Sequence, residues 1–414
     1  MMNRISLQRI LVDNNTVKYK YSVNDHLKKY FFTDMMFLHY DQDITNVPLS
    51  ILTIPFVNIM AGLSWLTDAM IFVDEIDESF YNAYKQIKNA YSELHNKLFF
   101  GGILVPSVIK KNRIEENNKC LLLFGGGVDC HTSYLRNKSC IPAVVNIYGW
   151  KESELGESNI DNSDKRMTEC FAHQFGIDSY HVSSNFASQF NLDRIDKELC
   201  RKLQTTYWYG FLHSMAFLSI SVPIMWQQGW SNLMIAASFT KNRTDVHCGS
   251  FITTDTEFKF ATCGRTIHDG FELSRQQKVL YLVDFQKTIN KPYMIQACSF
   301  NDHNCCICEK CFRTIVELIA EGANPRDFGF MIDGSVTEHW KSILYRNIGL
   351  WDIKKESHYY ELARERMKDN YSNIDDKEFV DWFLSFDFDK AKREGLMRYY
   401  TENFFSILKR KLHL

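Results

Sequence analysis

β-Branched and aromatic residues crowd Val17 to Val23 and Tyr30 to Tyr40, so residues 3–40 read as strand-rich, with a further short strand at Met70 to Val73. Over Asp77 to Leu98 the period lengthens. Phe80, Ala83, Ile87, Ala90, Tyr91 and Leu94 recur at helical spacing. A polar, charged stretch from Asn112 to Asn118 then reads as a linker. Beyond it strand and helix alternate. Strands are expected at Cys120 to Phe124, Ile141 to Tyr148, Ser179 to Val182 and Leu233 to Ala237. Helices are expected at Asp164 to Phe175, where Gly176 is a C-cap, and at Leu199 to Ile220. That alternation predicts an α/β fold with a parallel sheet and helices on both faces. Residues 323–414 are amphipathic and helical. Three regions follow: an N-terminal α+β region (1–118), an α/β domain (119–322) and a helical C-terminal extension (323–414).

Two uncharged stretches, Ile44 to Thr67 and Leu203 to Thr240, are long enough to raise a membrane span. Pro48, Pro55 and Asn58 interrupt the first; His213, Pro223 and Gln227-Gln228-Gly229 interrupt the second. Neither supplies the roughly 20 unbroken apolar residues a spanning helix needs, so both read as buried core. Across 414 residues, 48 Lys and Arg stand against 50 Asp and Glu, a net charge of −2. That balance gives no overall basic field for nucleic acid or an anionic membrane. Met1 to Asp13 mixes Arg4, Gln8 and Arg9 with its apolar residues and does not read as a signal peptide. A reducing, cytoplasmic setting is expected for the twelve cysteines.

Two segments carry candidate chemistry. In Leu121-Leu122-Leu123-Phe124-Gly125-Gly126-Gly127-Val128-Asp129-Cys130 an apolar strand runs into three glycines and then a helix start. Glycines allow close backbone approach, and a helix N-terminus offers unpaired N–H groups, so the pair suits a phosphate. No Gly-Lys-Ser/Thr follows, so it is not a Walker loop. The second segment is Cys298-x6-Cys305-x2-Cys308-x2-Cys311, the spacing of a tetrathiolate zinc (Zn2+) site of structural type, with an iron–sulfur cluster the alternative the spacing also allows and Cys306 a bystander.

The glycine segment resembles the Ser-Gly-Gly-x-Asp-Ser/Thr signature of the PP-loop ATP pyrophosphatase superfamily. It matches at Gly126, Gly127 and Asp129, and departs at Gly125 and Cys130. Asn304-Cys305-Cys306-Ile307-Cys308-Glu309-Lys310-Cys311-Phe312-Arg313-Thr314 and His268-Asp269-Gly270-Phe271-Glu272-Leu273-Ser274-Arg275-Gln276-Gln277-Lys278 are similar to stretches of its 7-cyano-7-deazaguanine synthase-like branch, known from queuosine biosynthesis. The likeness covers residues 119–322, about half the chain.

The resemblance implies a PP-loop domain with a zinc knuckle, acting as an ATP-dependent ligase that releases AMP and pyrophosphate. Phe124, Gly125, Gly126, Gly127, Val128, Asp129 and Cys130 would bind ATP with Mg2+. Asp129, Arg275 and Lys278 would be catalytic. Ser238 and Thr240, which follow the expected fourth strand, are candidates to meet substrate, with an ordinary polar loop as the alternative, and so are His268 and Asp269, read either as a pair or as a surface turn. Cys298, Cys305, Cys308 and Cys311 would hold zinc. The implied substrate is a small carboxylate of deazapurine type. Relatives in anti-phage operons further imply a protein partner, met through the N- or C-terminal extension. Three other outcomes stay open: a PP-loop peptide epimerase acting through an acyl-adenylate, a tRNA-thiolating enzyme, and a degenerate, non-catalytic nucleotide-binding scaffold.

Overall fold

The computed structural model describes residues 2–149, 163–243, 246–298 and 303–403. Its eleven strands are β1 (Asn3–Asp13), β2 (Thr16–Val23), β3 (Met35–Tyr40), β4 (Ala69–Asp77), β5 (Ile103–Lys110), β6 (Cys120–Leu123), β7 (Ala143–Tyr148), β8 (Asp178–Ser184), β9 (Asn232–Ala236), β10 (Lys259–Phe260) and β11 (Gly264–Asp269). All join one sheet in the order β10-β11-β9-β6-β7-β8-β3-β2-β1-β4-β5. Within it β11, β9, β6, β7 and β8 pair with one another in parallel. Counted in chain order these five run 3-2-1-4-5 across the sheet, the doubly wound arrangement. Its crossovers reverse between β6 and β9, where such sheets bind ligands beyond the strands' carboxyl ends. β3 adds antiparallel to β8, pairing Leu38 with Ser184 and Tyr40 with Val182.

The chain forms two compact units. The first comprises Met1–Gly125 and Arg136–Glu272 and contains the whole sheet. Its helices include α1 (Leu49–Thr67) and α2 (Glu78–Leu94). Next in chain order is α3 (Val128–Asn137), through which the division between the units passes. The first unit continues with α4 (Ser163–Phe175), α5 (His213–Ile220) and α6 (Val222–Gln228). The two apolar stretches are core here. Leu49–Thr67 and Trp208–Gln228 are long and apolar enough to cross a membrane, yet 89% and 78% of their apolar windows are buried inside the fold.

No boundary at residue 118 divides this unit. The buried carboxylate of Asp77 caps α2 by accepting from Phe80 N at 3.0 Å, and also accepts from Ala261 N at 2.9 Å and Asn112 Nδ2 at 3.0 Å. The helix expected over Leu199 to Ile220 is interrupted. A π-helical turn, Trp208–Leu212, precedes α5, and residues 201–206 form no regular helix.

The second unit comprises Gly126–Leu135 and Leu273–Leu414. Besides the start of α3 it contains α7 (Arg275–Ile289), α8 (Glu309–Ala320), α9 (Val336–Asn347), α10 (Ile353–Asp369), α11 (Lys377–Ser385) and α12 (Phe388–Glu402). Phe312 of α8 is its hub. Its ring lies 4.8 Å from Trp340, 5.7 Å from Tyr360, 6.1 Å from Phe383 and 6.5 Å from Phe388. The C-terminal helices therefore share one aromatic core with α8.

Candidate functional site

Strand β6 ends at Leu123, and Phe124 is held by its N–H to Val145 O (2.9 Å) and by Asn146 Nδ2 on its carbonyl (3.0 Å). Gly126 has φ +73°, a conformation side-chain-bearing residues rarely adopt, and its carbonyl accepts from Gln296 N at 2.8 Å. Among the described residues, a Cβ built on Gly125 or Gly127 would meet no heavy atom within 4 Å beyond the glycine and its immediate chain neighbours. Helix α3 begins at Val128, so its first N–H groups face the end of the glycine run. The Cys130 thiol turns back to donate to Gly127 O at 3.1 Å, and the Thr132 hydroxyl to Val128 O and Lys278 O. The loop's polar surface is therefore backbone.

Asp129, in the first turn of α3, gathers the other candidates within the second unit. Its Oδ2 accepts from Arg275 Nη1 at 3.0 Å and its Oδ1 from Lys278 Nζ at 3.1 Å. Arg275 opens α7 behind a capping box at Ser274, which places Arg275 and Lys278 one turn apart on one face. Arg275 Nε donates to Glu317 Oε2 at 3.1 Å. Lys278 and Glu317 are almost fully buried, at 3% and 1% exposure, and Asp129 is 26% exposed. Burial alone would raise the Asp129 carboxyl, but the Lys278 and Arg275 cations outweigh it and hold the group below the ordinary aspartate range. Glu317 goes the other way: burial raises it, and Arg275 and Arg313 offset only part. One oxygen of Glu317 and Nε of Arg313 are buried without a hydrogen-bond partner among the described residues. Arg313 is itself paired with Glu356 and stacks on Tyr359 at 4.5 Å.

Three separate segments thus meet: the glycine loop with Asp129, the segment of Arg275 and Lys278, and α8. Glu317 is the member sequence reasoning missed. Its signal was a lone acid inside the apolar run Ile315-Val316-Glu317-Leu318-Ile319.

The remaining candidates lie in the first unit. Ser238 and Thr240 follow the carboxyl end of β9, Ser238 exposed. His268 and Asp269 do not pair with each other. Both lie on β11, a strand the sequence did not suggest, and neighbours on a strand point to opposite faces. His268 Nδ1 meets Asp255 Oδ2 at 2.8 Å in a buried cluster with Ser214 and Ser250. Asp269 accepts from Asn137 Nδ2 at 3.1 Å and faces Arg136.

The four cysteines converge in the second unit. The sulfurs of Cys298, Cys305, Cys308 and Cys311 all lie within 4.8 Å of one another, with Cys298–Cys305 at 3.4 Å and Cys305–Cys311 at 3.9 Å. Sulfurs about 2.3 Å from a tetrahedral zinc would be about 3.8 Å apart, so the cluster fits a metal such as zinc with little adjustment. Asn304 organises it. Its Oδ1 accepts from Ala297 N (2.9 Å) and Cys298 N (3.4 Å), while Nδ2 donates to Ile295 O (2.8 Å) and Gly329 O (3.2 Å). Cys306 stands outside, in the left-handed region at φ +54° with its thiol on Asn304 O. The chain matches no protein-family model and no curated protein.

Proposed function

We propose that the chain binds ATP at the glycine loop and uses it to activate a carboxylate, forming an amide or related C–N bond with release of AMP and pyrophosphate. The observation that carries this reading is the convergence of Arg275 and Lys278 on Asp129, one turn into the helix that follows the loop. The open flanks of Gly125 and Gly127 and the positive φ of Gly126 suit a backbone cradle for pyrophosphate. The 3-2-1-4-5 order supports it too, since the loop follows the first strand at the switch point.

The acid's oxygen attacks the α-phosphorus, the α–β anhydride breaks, and pyrophosphate leaves. A nitrogen nucleophile then displaces AMP from the acyl carbon. Lys278 and Arg275 stabilise the charge that develops on the phosphates, and Arg275 is aimed by Glu317. Both oxygens of Asp129 are engaged by these cations, so Asp129 acts as a positioning residue and Mg2+ is carried by the phosphates. The acid is by resemblance a deazapurine carboxylate, and the nitrogen donor is a small amine or a partner protein. The four-cysteine centre holds zinc in a structural role.

The test is to incubate zinc-loaded full-length protein with ATP, Mg2+ and a panel of acids that includes carboxy-deazapurines and a peptide. AMP and pyrophosphate are expected in equal amounts with one acid, and lost in Lys278→Met. Inversion of an α-carbon in the peptide would move the reading to the epimerase. One observation favours the non-catalytic scaffold: both cations are already neutralised by carboxylates. ATP binding in calorimetry without AMP from any acid would establish that scaffold instead.

A further inference from the structure

We infer that Cys248 and His213, in the first unit, form a second reactive site: a nucleophilic thiol with its own base, taking an acyl group from an activated acid. The inference rests on the proposed adenylation only for the origin of that acid. His213 Nδ1 lies 2.8 Å from Trp208 O. A carbonyl can only accept, so Nδ1 carries the proton and Nε2 presents its lone pair. Cys248 Sγ lies 3.7 Å from that Nε2. Nucleophile, base and a group orienting the base are thus in sequence, the arrangement that activates cysteine nucleophiles. Burial pushes His213 below the ordinary histidine range, partly offset by its bond to Trp208 and by Asp255, which keeps it neutral and able to accept the proton.

The backbone is built to hold this contact. The π-helical turn Trp208–Leu212 lets Trp208 O meet a side chain five residues on, and such turns concentrate at functional sites. Gly249, beside Cys248, donates its N–H to Tyr209 O at 2.8 Å. A Cβ on Gly249 would stand 2.8 Å from Gly210 O, so only glycine lets the two segments approach this closely. Gly249 O is fixed in turn by Tyr91 Oη (3.0 Å) and Thr254 Oγ1 (2.7 Å).

Aromatic rings flank the base, and Cys248 itself is buried at 2% exposure. Trp208, Tyr209 and Phe217 lie 5.9, 6.1 and 6.3 Å from the His213 ring, each half-buried, as is His213. Tyr209 also meets Phe239, three residues beyond β9, which puts these rings near the carboxyl end of that strand. Flat apolar rings beside the base suit a planar acyl group. In the step, the Cys248 sulfur attacks the acyl carbon of an acyl-adenylate, the C–S bond forms, and the C–O bond to phosphate breaks. AMP leaves, and the thiol proton passes to His213 Nε2. An amine then attacks the thioester, the C–N bond forms as the C–S bond breaks, the departing thiolate recovers its proton from His213 Nε2, and the amine nitrogen gives up its proton to water.

Acetyl-adenylate, added without ATP to the zinc-loaded full chain, tests this directly. Peptide mapping should find one acetyl group on Cys248, released by neutral hydroxylamine and absent in Cys248→Ala. His213→Gln should slow its formation about a hundredfold or more, the lower end of the range for a lost general base. The rate in His213→Gln decides the matter even where Cys248→Ala does not fold. Acetyl on the exposed Cys170 with Cys248 unmodified would overturn the assignment, as would acetylation of Cys248 in His213→Gln at the unsubstituted rate. Because acetyl-adenylate bypasses ATP, acetylated Cys248 in a protein that forms no AMP would keep this dyad and discard the adenylation reading. The converse pair of results would do the reverse.

Discussion

Asp129 joins two cations of different burial, and its removal should be felt in stability before any assay of activity. Taking one partner from a buried ion pair costs about 3–5 kcal/mol, and the partial exposure of Asp129 argues for the lower end, about 3. The pH dependence carries a sign. Asp129 titrates below an unfolded aspartate, which lies near about 3.9, so its contribution is complete above that value and lost as pH falls through its folded pKa. Glu317, raised by burial, behaves oppositely and is relieved by acid. The stability gap between the unsubstituted protein and Asp129→Asn should therefore be widest near neutral pH and close in acid. Urea unfolding at several pH values measures it, and a gap independent of pH would refute the ion-pair role. At this scale the motifs were informative because glycines, Asp129, Arg275 and Lys278 each advertise chemistry by type. Glu317 did not, because its meaning depends on which helix face meets Arg275. His268 and Asp269 misled because adjacency in sequence is opposition on a strand.

Among the elements, the cysteine knuckle was the most legible, since its ligand spacing is local and needs no knowledge of the fold. Its support was not. Cys308 is the N-cap residue of α8 and Cys311 lies in its first turn, so a metal here would tie down the helix that carries Phe312, Arg313 and Glu317. About one equivalent of zinc is expected in purified protein, and Cys308→Ser should lose it with a fall in Tm. Elemental analysis showing full metal in that variant would refute the ligand set. Asn304→Ala tests the support separately. It keeps all four sulfurs but strips hydrogen bonds from four backbone groups, and should cost about 2 kcal/mol with zinc retained but released faster to a chelator. The interrupted helix before α5 was illegible for a related reason. A Cβ on Gly210 would press on Thr205 at 2.5 Å, a contact no periodicity reports.

At the scale of the whole chain, composition and alternation give the α/β class, but not which strands are neighbours. Pairing of β3 with β8 joins residues 140 positions apart and more, and such long-range register leaves no local mark. The same holds for the C-terminal helices, which sequence alone sets apart as an extension and which instead enclose Phe312. A decisive consequence follows for residues 1–322. Cut after Gly322, the chain keeps every glycine-loop, cation and cysteine residue, yet leaves Phe312 without Trp340, Tyr360, Phe383 and Phe388. Phe312→Ala in the full chain should cost about 3–5 kcal/mol, the range for deleting a buried aromatic ring. The truncation removes all of its partners at once and should cost more than the second unit can spare. Residues 1–322 are therefore expected to bind zinc weakly and to lose cooperative unfolding of the second unit, while the sheet's transition survives. Zinc affinity and two-transition unfolding equal to those of the full chain would instead make residues 323–414 an appendage. The Asp129 cluster would then owe its geometry to α7 and α8 alone.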